Sequence, residues 1–454
     1  MSRDTILYKI NKIIALLKHP TELRAAIQLK FFRKIPFPRD LANERETESI
    51  CYNFLFKTGR SYAPVIMELN PELRNVIMLF YLVLRALDTI EDDMTLDNEV
   101  KIPLLKSFHL KLNSFDWTFN GNGPNEKDRE LLVQYNNVLI EYHKIKPFYQ
   151  QVIKDTTQKM EDGMAYYITN NDIGLTGLKT LKDYEDYAYY VVGVVTEGLI
   201  QITTKAGYND PILLDNMYLS KSMGVFIQQP IVIRDYKEDL DEGRSFLPEE
   251  VWSKYAKHLS DFAQDEYLDQ GVYCISELVL DDLKYVEDVL LFLSLVYDPS
   301  AFSFYAIPAT LGMATLVEIF QNPLVLRTKV KVRRGKTCSL MLRSRTFRDV
   351  LAIFVEHLQL IKDKCTILDP NYTKLQERCD ELIQFAREIN ASPEFYRKHL
   401  KGKEKSDYSN IVDRRQLDKE LFPILETEDL RCTIFICTLF FTLLFLAYFI
   451  KQML

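Results

Sequence analysis

Two acidic clusters, Asp88-Thr89-Ile90-Glu91-Asp92 and Asp235-Tyr236-Lys237-Glu238-Asp239, each follow an apolar stretch: Met78–Leu84 leads into the first and Ile231-Val232-Ile233 into the second. Side chains four residues apart share one face of a helix, so Asp88 with Asp92, and Asp235 with Asp239, each form a two-pronged oxygen claw. Such a claw suits Mg²⁺, which takes one or two carboxylates and fills the rest of its shell with water and substrate phosphates. Two claws on facing helices would hold a diphosphate between them. Arg85, one turn before Asp88, and Arg234, beside Asp235, add planar guanidinium forks that match phosphate oxygens. A single acidic cluster is ordinarily a solvated helix face. Two that each adjoin an apolar run need pairing or a metal, because unpaired charge is costly to bury.

Three further patches carry weaker signals. Thr58-Gly59-Arg60-Ser61-Tyr62 is a small-residue turn with a cation and hydroxyls. Tyr184, Tyr187, Tyr189 and Tyr190 crowd ahead of Val191–Val195, and tyrosines at such density mostly pack with their hydroxyls on backbone groups. Lys331-Val332-Arg333-Arg334-Gly335-Lys336 is a basic loop that a polyanion or lipid headgroups would fit and that solvent would fit too. No G-x-G-x-x-G or P-loop is present, and Gly121-Asn122-Gly123-Pro124 continues as neither. Any nucleotide is therefore held outside a Rossmann fold. The six His are dispersed, without an HExxH pair, so His-centred catalysis has no support.

The elements that must position these groups read as helices. Apolar residues recur every three or four positions in Glu72–Leu87, Leu131–Ile153 and Thr346–Ile361, whereas β-type alternation of useful length is missing. Only 15 Gly and 17 Pro punctuate 454 residues, and 47% hydrophobic composition suffices for one large core. The seven Cys follow no metal-type spacing, which fits a reduced, cytosol-facing body. A net charge of −7 argues against nonspecific nucleic-acid binding. Met1–Ala15 lacks a cleavable apolar run. Cys432–Ile450, by contrast, is 19 residues without a charge, bounded by Arg431 and Lys451. As a helix it would span about 28 Å, close to the roughly 30 Å hydrocarbon core of a bilayer. A tail anchor over 432–450 is expected, inserted after synthesis because four residues follow it, with the charged stretch 401–431 as a tether and residues 1–400 as the catalytic body.

The order and context of these residues resemble the squalene synthase family, the head-to-head trans-isoprenyl diphosphate synthases. The similarity runs from about His19 to the tail. It is most specific in Phe80–Met94, with Ile233–Asp239, Gly243-Arg244, Ala306-Ile307-Pro308 and Ala314-Thr315-Leu316 also matching. The resemblance implies a single all-α isoprenoid-synthase bundle around a central cavity. It implies condensation of two farnesyl diphosphates to presqualene diphosphate, then rearrangement and NADPH-dependent reduction to squalene. By position, Asp88, Glu91, Asp92, Asp235 and Asp239 would bind Mg²⁺. Arg60, Ser61, Tyr81 and Arg85 would hold phosphate, and Arg60, Arg85, Arg234, Lys331 and Arg333 would lie near the NADPH phosphates. Tyr187 would take part in cyclopropane closure. The family and the tail together imply the endoplasmic reticulum membrane; the oligomeric state is left open, with a monomer expected.

The chain also departs from the family pattern. Gln228-Gln229-Pro230-Ile231 replaces Gln-Lys-Thr-Asn ahead of the second claw, and Tyr187-Ala188-Tyr189-Tyr190 replaces Tyr-Cys-His-Tyr. Thr196 stands for a Gly, Gly59 for a Ser, Leu247 for a Trp and Ala309 for a Gln. These changes are expected to cluster in the same cavity, so that an altered product or a non-catalytic prenyl-diphosphate binder competes with a working synthase. The ionising half of the reaction is then the more secure.

Overall fold

The computed structural model describes residues 18–59, 62–169, 174–391, 400 and 414–453. Arg60 and Ser61 lie outside them. Among the described residues there is no strand, only two isolated bridges, Leu178 to Pro248 and Asn209 to Val296. The all-α expectation holds.

The helices that matter for the site are α1 (Pro20–Ile27), α2 (Glu46–Thr58), α3 (Pro71–Asp92), α4 (Pro147–Thr169), α5 (Leu181–Ala188), α6 (Val194–Lys205), α7 (Tyr218–Asp241), α8 (Leu268–Asp282), α9 (Pro299–Ile319), α10 (Arg334–Arg343), α11 (Phe347–Lys364), α12 (Tyr372–Ala391) and α13 (Arg414–Met453). Local chemistry sets several of their starts. The Asn70 side chain accepts from Leu73 N with Pro71 following, and Asp298 accepts from Ser300 and Ala301 N ahead of α9. Both satisfy backbone donors that have no partner within the helix. Lys101 Nζ donates to Glu91 O at 2.8 Å where α3 ends and Asp93 turns to extended backbone.

α7 is the central rod, packed by α5, α6, α8 and α9. Its crossing with the wide-turn segment Tyr189–Gly193 is close: a Cβ on Gly224 would sit 2.4 Å from Gly193 Cα. Gly224 is therefore needed for contact between the backbones, whereas a Cβ at Gly193 would press on the Tyr189 ring of its own segment. Pro230 does not interrupt α7, which runs through it for 24 residues, with Tyr184 Oη donating to Gln229 O alongside.

The charged stretch read as a tether differs from expectation in its described half. From Arg414 it is the start of α13, because Leu417, Leu421 and Leu425 recur at helical spacing. That half is docked on the body. Asp418 accepts from Phe347 and Arg348 N at 3.1 Å each, Arg348 lies 4.3 Å over the Phe422 ring, and Arg345 pairs with Glu428 at 2.7 Å. Beyond Cys432 the helix turns Phe440, Phe441 and Phe445 outward, each more than half exposed. α9 is also long and apolar, yet it is buried in the core; α13 is not.

Candidate active site

α3 carries Tyr81, Arg85, Asp88 and Asp92 along one stripe, and α7 carries Gln228, Ile231, Asp235 and Asp239 along another. The two stripes face each other across a polar cavity of ≈ 540 Å³. Arg85, Asp88, Glu91, Asp92, Asp235 and Asp239 all line it, and Tyr187, Tyr190, Tyr167, Arg244, Phe246 and Lys329 close its sides. Arg85, Asp88, Val191 and Gln228 also line a second, mostly apolar cavity of ≈ 290 Å³, so the two adjoin. Phe80, Leu84, Val195, Leu199, Ile227 and Phe304 form much of its wall. Asp and Arg groups thus line the one chamber, and aliphatic and aromatic groups line most of the other.

The acidic groups outnumber the cations here, and burial raises several of them. Asp88 is pushed up to about 7, first by burial, against the pull of Arg85, with Asp92 and Asp128 adding repulsion. Its side chain keeps 31% of its surface, but that surface faces the confined cavity rather than bulk water. Burial and then Asp92 and Asp88 push Glu91 up to about 8. Asp239 reaches about 6, through burial opposed by Arg244. Carboxylates held this reluctantly in ionised form are under-compensated, and a divalent cation would relieve them. Among the described residues no three His, Cys, Asp or Glu side chains make a ready-made cage. The donor set fits Mg²⁺ that draws its remaining oxygens from phosphate and water.

Neighbours fix the cations. Arg85 donates to buried Asp128 through Nε at 2.7 Å and reaches Asp88 at 3.7 Å. Arg234 chelates Asp235 at 2.7 and 2.9 Å. Lys329 bridges Asp235 at 3.2 Å and Glu238, and Arg244 stands 3.5 Å from Asp239. Lys331 and Arg333 line neither cavity. They follow Lys329 on the irregular segment before α10, with Lys331 exposed and Arg333 paired to Glu22 on α1 at 2.7 Å. Tyr187 lies stacked on Phe246 at 4.3 Å and edge-on to Tyr167 at 5.3 Å. Burial, then the carboxylates Glu91 and Asp239, hold its phenol well above the usual range, so it stands as a neutral O–H donor.

Asp93, one residue past the first claw, has a different task. Thr95 N and Oγ1, Asn122 Nδ2 and Gly123 N all donate to it at 2.6 to 2.9 Å. Against the penalty of burial, these bonds bring it down to about 2. Asp93→Asn is expected to destabilise the protein by roughly 1–3 kcal/mol by setting an amide N–H against donors. Urea unfolding at neutral pH checks this. Because the folded value is depressed, the wild-type advantage is present above pH ~4 and fades as pH falls toward 2.

The sequence model of the squalene/phytoene synthase family matches residues 55–336, which contain both claws and Tyr187. The chain belongs to the squalene/phytoene synthase family. It is 45% identical over 450 residues to squalene synthase ERG9 of Candida albicans, covering 97% of this chain and all of that protein. It is 43% identical to squalene synthase ERG9 of Saccharomyces cerevisiae over 92% of this chain and 94% of that one. The solved complex of TcSQS with the ligand E5700 superposes with a TM-score of 0.72 at 34% identity, covering 76% of this chain and 99% of that chain.

Two of the departures from the family pattern reach the cavities. Ile231 lines the polar cavity and Thr196 the apolar one, where its hydroxyl bonds Val192 O at 3.0 Å. The others lie elsewhere. Pro230, Leu247 and Ala309 are buried off both linings. Gln229 is fully buried with neither side-chain amide atom bonded, and Tyr189 donates outward to Glu197 at 2.9 Å. A Cβ at Gly59 would press on the Tyr81 ring at 3.1 Å. The expected crowding of changes around one pocket is thus largely absent, since neighbouring helix positions point about 100° apart. Asp128, Arg244 and Lys329 escaped the sequence reading as site groups. Arg244 could have been found from its place in the matching Gly243-Arg244 pair; Asp128 and Lys329 carry no local signal.

Proposed function

We propose that this protein is a squalene synthase, joining two farnesyl diphosphates head to head into presqualene diphosphate and then rearranging and reducing it to squalene. One observation carries the reading: two carboxylate claws face one polar cavity that adjoins an apolar one, in a chain with 45% identity to a squalene synthase over nearly its full length. Mg²⁺, when bound, offsets the charge of the departing diphosphate; Asp88, Glu91, Asp92, Asp235 and Asp239 would hold it. Arg85, steadied by Asp128, and Tyr81 would hold phosphate oxygens together with Arg60 and Ser61. Lys329 and Arg244 would neutralise charge from the opposite side. The apolar chamber keeps water away from an allylic cation. Tyr187, a neutral phenol between Phe246 and Tyr167, would accept the proton lost in cyclopropane closure while passing its own to an anionic oxygen. NADPH, when bound, supplies hydride for the second half-reaction. Lys331 and Arg333, on the irregular segment after Lys329, suit its phosphates, with Arg85 in the cavity wall and Arg234 beside Asp235. α13 would anchor the body in a membrane, the endoplasmic reticulum by kinship, with the catalytic body on the cytosolic side.

The test is full-length protein in detergent with farnesyl diphosphate and Mg²⁺, with and without NADPH. Squalene formed only when NADPH is present supports the reading. Presqualene diphosphate accumulating with NADPH present refutes the reductive half, and no diphosphate release refutes the whole. Tyr187→Phe should still release diphosphate, whereas presqualene diphosphate formation falls by ~10²–10⁴-fold. Product analysis reads both.

A further inference from the structure

The segment that follows α1 sits where the tail enters its apolar run. Gln28–Phe32 forms one wide turn and the chain then runs irregularly to Arg45. Phe32 meets Phe435 with ring centroids 5.3 Å apart, and Lys34 N donates to Glu428 at 3.2 Å. Arg24 on α1 reaches Asp429 at 2.6 Å and Thr433 at 3.0 Å. Thr433 and Phe435 lie one and three residues beyond Cys432, where the uncharged stretch begins. At 1.5 Å per residue, Phe435 is only about 5 Å inside that stretch, so whatever surrounds Phe435 there must also surround Phe32.

The side chains beside this contact face outward. Phe31 is 67% exposed and Ile35 56%. Single exposed apolar residues are ordinary, but a contiguous group continuous with a membrane span is not. Lys30 and Lys34 are exposed among them, and Lys30 Nζ lies 5.2 Å over the Phe31 ring. Apolar rings with ammonium groups beside them are the composition of a segment lying in the headgroup boundary, rings down and lysines toward the phosphates. The docked half of α13 keeps the body from swinging away: Asp418, Phe422 and Glu428 all bind it.

Beyond Ile35 the chain turns back to the body, where Phe37 O accepts from Arg74 and Arg39 stacks on Tyr52. We propose that Phe31–Ile35 is a second membrane contact, immersed in the headgroup and upper acyl region of the same bilayer that takes α13, so that the body lies against the membrane rather than hanging from it. This rests on the reading of α13 as an anchor. The test uses full-length protein in phosphatidylcholine vesicles, with and without phosphatidylserine, and lipid brominated in its acyl chains. Phe31→Trp and Ile35→Trp each add an indole at the segment; Ile367→Trp adds one at an exposed site in the turn after α11. The native Trp117 and Trp252 provide the baseline, from which each added signal is taken by difference. Bromolipid should quench most of the added emission at 31 and 35 and little at 367, more strongly with phosphatidylserine present. Equal, weak quenching at all three sites overturns the proposal, provided the protein still floats with the vesicles. Loss of flotation would instead show that the anchor reading has failed, and the proposal with it. Protection of positions 31 and 35 that depends on protein concentration and not on bromolipid would assign the patch to a second copy of the chain, and overturns it too.

Discussion

Asp88→Asn is expected to lower diphosphate release from farnesyl diphosphate by at least ~10³-fold, the scale of losing a preorganised electrostatic contact to a developing charge together with a metal ligand. Asp88 lines both cavities, so it stands where the charged head and the apolar tail of one substrate would meet. The amide keeps the shape and removes the charge. A folding defect would mimic the loss of activity, and the electrostatics separate the two. In the wild type, burial disfavours the Asp88 carboxylate, so ionising it works against the fold. The asparagine variant without Mg²⁺ should therefore melt at the same temperature as the wild type, or higher, at pH 8, while its activity is lost. Retained turnover would overturn the assignment of Asp88 to the metal. A lower melting temperature would mean that the residue is needed for the fold.

The second large effect concerns Mg²⁺ and pH. Asp239, Asp88 and Glu91 sit at about 6, 7 and 8, all raised above the ordinary value near 4. Between pH 4 and these values the folded protein retains protons that the unfolded chain has released. Stability without metal therefore falls as pH rises through that window and levels off above 8. Mg²⁺ binds the deprotonated groups and so displaces protons. Its apparent affinity should rise by ~10²-fold between pH 6 and 8, and its stabilisation of the fold should grow over the same range. Thermal shift with Mg²⁺ alone reads this directly, because an added diphosphate would titrate in the same window. An affinity flat across pH 6–8 would exclude these carboxylates as the ligands. Asp88→Asn should flatten the upper part of the curve.

Much of this site was legible in the residues because it is built along helices. Spacings of three and four put Arg85, Asp88 and Asp92 on one stripe, and Asp235 with Asp239 on another, whatever the helices pack against. The tail could be read in the same way, since an uncharged run of 19 residues states its preference for hydrocarbon without help from a fold. Less could be read from single positions. Asp92 and Asp93 are adjacent and chemically identical, yet one lines the cavity and the other is bound by Thr95, Asn122 and Gly123. Pro230 and Ile231 are likewise adjacent departures from the family pattern, but only Ile231 reaches the cavity.

What the sequence determined by itself was therefore periodic or compositional: helical class, two oxygen claws, an apolar tail, and kinship with squalene synthases. Tertiary structure decided whatever joins segments far apart in the chain. It set the claws across one cavity, anchored Arg85 on Asp128, brought Lys329 to Asp235, and laid Phe32 against Phe435. The physical reason is range. A helix repeats its own geometry every 3.6 residues, so a stripe is encoded locally; which stripes meet depends on packing of the whole core, and no local spacing records it.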